Sequence, residues 1–146
     1  MSTHIPNVKR ALKQIAEVTL TDVQVSYGEM VRNPARERFY LAPDSSSSTV
    51  QATFRAARLR VQEDSLVGMT FVVVKATEED AEQRAAELAE LMLDVLYGDP
   101  KLSAATDPPA VIAVEWESTT MVTLPTDDSK FETTLEMILS VKGRNT

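Results

Sequence analysis

An α+β fold is predicted for this chain, as a single domain over residues 1–146. It should hold a mixed, mostly antiparallel sheet with an N-terminal helix and one long helix packed on it. Three observations predict this. Apolar residues recur at helical spacing in two places, near the N-terminus and over 81–95. Runs of period two read as strands between and after them. A length of 146 residues with 43% hydrophobic composition suits one ordinary core.

Ile5, Val8, Leu12 and Ile15 recur at helical spacing with Lys9, Arg10, Lys13 and Gln14 between them, which predicts about three turns of amphipathic helix. Pro6 suits the first turn, where its missing N–H costs nothing, and Thr3 is the expected N-cap. Val23, Val25 and Tyr27 alternate with polar residues, so a strand is expected over 22–30 with Gly28 as a bulge. Asn33-Pro34 signals a turn, and Phe39 and Leu41 alternate through a short strand over 37–42. The Ser-rich tract 43–49 lacks an apolar anchor and reads as a mobile loop. A plain solvent loop and one projecting into a ring's channel or over a neighbour both fit. A strand is assigned to 58–63. Residues 69–74 (MTFVVV) are apolar on both faces, which marks a central strand covered by helices or by a neighbouring subunit.

Thr77-Glu78-Glu79-Asp80 begins the long helix in the manner of a capping box, with acids suited to the helix dipole. Ala81, Ala85, Leu88, Met92 and Val95 supply its stripe, Gly98 is the expected stop at C′, and Pro100 follows. After a polar loop over 99–109, a strand is expected over 111–124 with Val114, Trp116 and Met121 as core positions. Thr126-Asp127-Asp128-Ser129 is a turn, and strict alternation from Phe131 to Val141 completes a hairpin. The tail 142–146 is expected to fray or to reach a partner.

Composition narrows the function classes. The chain has no cysteine and one histidine, His4, which excludes disulfide frameworks, thiolate sites and multi-His zinc sites. There is no Gly-rich phosphate loop, nucleophile elbow or zincin motif, so no catalytic residue, metal ligand or cofactor is assigned and the chain is not expected to be an enzyme. No stretch approaches a membrane span, and no apolar leader begins the sequence, so the chain is expected to stay in the compartment where it is made. The net charge of −7 is uneven: six arginines against Glu37 and Asp44 make residues 32–60 a local +4, which leaves −11 on the rest. Non-specific nucleic-acid binding is therefore disfavoured.

Function is then expected from surfaces. Arg55, Arg58 and Arg60 are candidates to meet the acidic helix of a neighbouring copy, with Glu79, Glu82, Glu87 and Glu90 as that helix's candidates. A solvated surface explains the same charges. Glu115 and Glu117 flank Trp116 on one strand and should share a face, either an exposed sheet face or a channel lining.

Three stretches also carry a family resemblance. PNVKRALKQIAEV leads into VQVSYGEM; MTFVVVKATEEDAEQRAAELAELMLDVLYGDPKL joins a strand to a capped helix ending in a DP-x-L turn; AVIAVEWESTTMVTL and KFETTLEMILSVKG supply a closing pair. Their order resembles the tail terminator proteins of long-tailed bacteriophages with non-contractile tails. Residues 43–62 match no pattern of that family. The resemblance implies a virion protein at the tail–head junction, made in the bacterial host cytoplasm. It would form a homo-hexameric ring on the last ring of tail-tube protein, stop tube growth, and join a head–tail connector or neck protein. DNA would pass through the bore without specific binding, and an acidic bore would repel phosphate. Two alternatives stand beside it: another head–tail neck or completion protein, and a small cytoplasmic ligand-binding domain or enzyme.

Overall fold

The N-terminal stripe folds as α1 (Ile5–Thr19), four turns rather than three, and buries Val8, Ala11, Leu12, Ile15 and Ala16. The computed structural model describes residues 5–29, 34–43, 46–55, 58–106, 109 and 111–145, and the side chains of 46–55, 58–63, 112, 144 and 145 lie outside that description. The expected N-cap Thr3 and turn residue Asn33 also lie outside it. Lys9 is buried on α1, where its ammonium donates to the Ala42 carbonyl at 2.8 Å and lies 5.6 Å from the Tyr27 ring centroid. A buried lysine is tolerated when its donors are satisfied in this way.

β1 (Gln24–Ser26) is shorter than the alternation predicts and pairs in parallel with β2 (Glu37–Leu41). Gly28 is not a bulge within it. The chain bends there instead, with the Ser26 hydroxyl donating to the Gly28 carbonyl at 2.6 Å.

β3 (Ser46–Arg55) and β4 (Arg58–Lys75) form a long antiparallel pair, which corrects two expectations. Ser46–Thr49 are strand rather than loop, and the two strands expected at 58–63 and 69–74 are one strand of 18 residues. The reason is the backbone. β2 pairs only with Met69–Val73 of β4, so the same edge of β4 over 58–66 is open, and β3 fills it. Ladder hydrogen bonds need no apolar side chain, so a serine run can take this place. The tail is corrected for the same reason: β6 (Phe131–Asn145) pairs with β4 out to Val61↔Asn145 instead of fraying at 142.

α2 (Glu78–Gly98) begins at Thr77, whose hydroxyl accepts from the Asp80 amide at 3.2 Å. Its end departs from expectation. Gly98 is the last helical residue and is not left-handed; Asp99 is the C-cap, and its amide bonds the Val95 and Leu96 carbonyls. The Asp99 carboxylate then accepts the Ser103 and Ala104 amides, both at 2.9 Å. These bonds hold its pKa below the ordinary value. Leu102 turns left-handed (φ 57°) with its side chain fully buried, which explains the DP-x-L sequence as a turn locked by a carboxylate and a core leucine.

β5 (Val111–Pro125) and β6 close the chain as the expected hairpin. The sheet runs β1-β2-β4-β6-β5, with β3 beside β2 on the edge of β4. Val67, Met69, Phe71 and Val73 of β4 and Leu135, Met137, Leu139 and Val141 of β6 join the buried faces of α1 and α2 in one core. Phe39 and Phe71 meet edge to face at 5.2 Å within it. The central strand is thus covered by helices on one face only. On the other, Thr70 and Val72 are buried among their register neighbours Arg38, Tyr40, Thr134 and Glu136.

Candidate functional site

Charges sent to one place by the fold serve the fold itself. Glu37 of β2 accepts from Arg84 of α2 and is paired with Lys75 of β4 at 3.0 Å. Burial alone would raise the Glu37 carboxyl, but hydrogen bonds and charge from Arg84 and Lys75 outweigh it and leave the pKa below its ordinary value. The acids proposed for a neighbour contact on α2 are largely engaged within the chain. Glu79 accepts from Gln83, Glu87 from Arg84, and Glu82 from the Thr123 hydroxyl of β5. Glu90 is exposed and makes no hydrogen bond or ion pair among the described residues.

The arginines lie elsewhere. Arg55 and Arg58 are backbone partners at the closed end of the β3–β4 pair, and Arg60 is two positions further along β4; their side chains lie outside the description. β3 pairs with β4 alone, so its outer backbone edge is open among the described residues.

The opposite edge is β5, which pairs with β6 alone. Its register slips between Val111 and Ala113 and again between Trp116 and Ser118. The second bulge falls inside the expected Glu115–Glu117 pair. Glu115 is opposite Ser140, whereas Glu117 is the extra residue, so period two no longer ties both to one face. Both are exposed. From Ser118 onward the strand is regular as far as Pro125.

Trp116 and Met121, expected in the core, are exposed by 49% and 39%, with Val122 at 49% and Leu124 at 62%. Register explains this. Trp116 and Met121 are opposite Leu139 and Leu135 and so lie on the helix-bearing face, while Val122 and Leu124 are opposite Thr134 and Glu132 on the other. The helices cover β4, β6 and part of β5, where Val111 and Val114 join the core, and leave Trp116 and Met121 open. The Trp116 indole N–H is held by the Thr119 hydroxyl at 2.8 Å.

No family model matches this chain, and no curated protein shows significant similarity to it.

Among the described residues, no group of three or more His, Asp or Glu is placed to hold a metal ion. No described helix is long and apolar enough to cross a membrane. What the surface does offer is one sheet with two long open edges. Val122 and Leu124 were missed from sequence. The available signal was a closing strand with apolar residues in both alternating sets and neither Lys nor Arg, the usual guards of an edge.

Proposed function

We propose that this protein is a structural virion subunit, a ring-forming tail terminator that caps a phage tail tube, stops its growth and joins the tail to the head. The observation that carries the reading is the sheet open at both ends, with β3 on one edge and an apolar β5 on the other. In the free subunit water meets these edges, and further protein would extend the hydrogen bonding and apolar burial along them. The order of helix, strands, long capped helix and closing hairpin supports the same reading through its resemblance to tail terminators. In this role the partners are further copies in a hexamer, the tail-tube protein on one face, and a connector or neck protein on the other. The balance of −11 outside residues 32–60 suits a surface that DNA passes without adhering.

The test is electron microscopy and native mass measurement of the purified protein, alone and mixed with tail tubes from the same source. Six-fold rings, and caps on tube ends that halt elongation, are expected. Rings that leave tubes growing but bind portal complexes would replace the terminator with a neck protein. A monomer indifferent to both, with tight saturable binding of a metabolite, would overturn the virion reading.

A further inference from the structure

We propose that copies of this chain join by sheet extension, the β5 edge of one copy receiving the β3 edge of the next. This rests on the assembly reading above and names the contact that builds it. Residues 111–129, which form β5 and its turn, carry Glu115, Glu117, Asp127 and Asp128 and no basic residue. β3 carries Arg55 and no acid; behind it β4 adds Arg58 and Arg60 at the same end, and Glu63 and Asp64 opposite Thr49 and Ser48. The two edge strands therefore bear opposite charge, −2 on β5 against +1 on β3.

Their lengths are compatible as well. The regular part of β5 from Ser118 to Leu124 spans roughly 23 Å, and β3 offers Gln51 to Arg55, about 16 Å, beyond the register shift between Thr49 and Gln51. Strand addition satisfies main-chain groups on both sides, and it withdraws Met121, Val122 and Leu124 from water. Because the two patches differ, the contact is heterologous: it closes into a ring when the rotation per subunit allows and otherwise runs on. α2 is the weaker acidic partner, since Glu79, Glu82 and Glu87 already accept hydrogen bonds within the chain.

Charge reversal tests this on the full chain, with assembly read by sedimentation and native mass. Glu115→Arg with Glu117→Arg should raise the apparent Kd by roughly tenfold or more, as should Arg55→Glu with Arg58→Glu. Combining the four changes in one chain should restore assembly. Val122→Lys, a surface change that spares the core, should also block it, while Glu90→Lys on α2 should not; thermal melts check that each variant is folded. Assembly untouched by both β5 changes, or no rescue by the fourfold variant, would overturn the contact. Tubes still capped by those β5 variants would overturn the contact and leave the terminator reading standing. Rings that need β5 but never cap tubes would do the reverse. A wild-type chain that stays monomeric with and without tubes would overturn both.

Discussion

Gly68 shows how one residue sets the approach of two segments. A methyl group placed there would come within 2.9 Å of the Ala42 Cβ, with Glu136 Oε1 and Ile138 Cδ1 at 3.6 Å. Its φ is not positive, so the requirement is space rather than backbone freedom. Ala42 cannot retreat cheaply, because its amide donates to the Gly68 carbonyl at 2.9 Å and its carbonyl receives Lys9. Gly68→Ala should cost about 2 kcal/mol, or roughly 4–8 °C of melting temperature in calorimetry. A melting temperature equal to wild type would mean that the β2 end moves freely. Glu37 makes a second residue-scale prediction, with a pH signature. Its folded-state pKa lies below the ordinary 4.5, so its stabilisation is present above that value and is lost as pH falls through the folded value. Glu37→Gln should cost about 1–2 kcal/mol in urea unfolding at pH 7, discounted for partial exposure of the pair. The two proteins should converge as the medium is acidified below pH 4.5. A gap that stays constant over the whole acid range in which the protein remains folded would assign the loss to shape rather than charge.

At the scale of elements, α2 depends on its first turn. Thr77→Ala removes the acceptor for the Asp80 amide and should lower stability by about 1 kcal/mol, while Thr77→Ser should restore it. Equal melts for all three proteins would mean that packing of Ala81, Ala85 and Leu88 alone holds the helix end. Both helices were legible in the sequence because spacing and caps are local signals, and the same holds for β6, whose alternation continues without a break. β3 was not legible. Serine and threonine in a strand are decided by the open flank of β4 beside them, which is tertiary information. The length of β4 was hidden likewise, since only its last third is apolar on both faces. Trp116 and Met121 were placed on the correct face but in the wrong environment. Period two gives the face of a strand, whereas coverage depends on how far a helix reaches across the sheet. The bulge at Glu117 has no sequence signal of its own.

At the scale of the molecule, the same unfinished flank supplies its own probe. Trp116 is the only tryptophan in the chain, it lies on β5, and it is half exposed in the free subunit. If copies meet along β5, the indole loses water on assembly, because a strand added beyond β5 brings its helix-side residues against Trp116. Emission should then shift to shorter wavelength as concentration rises, in step with the mass measured by sedimentation. Acrylamide quenching should fall severalfold over the same range. Salt gives the direction of the electrostatic part: the acidic β5 and basic β3 edge strands, −2 and +1, lose attraction as the Debye length shrinks, so the transition should move to higher protein concentration between low and about 0.5 M salt. A fluorescence change that ignores salt would point to apolar burial alone. Emission identical in assembled and free protein would place the subunit contact away from β5, and the basic hairpin would then have to find its acids on another surface of the neighbouring copy.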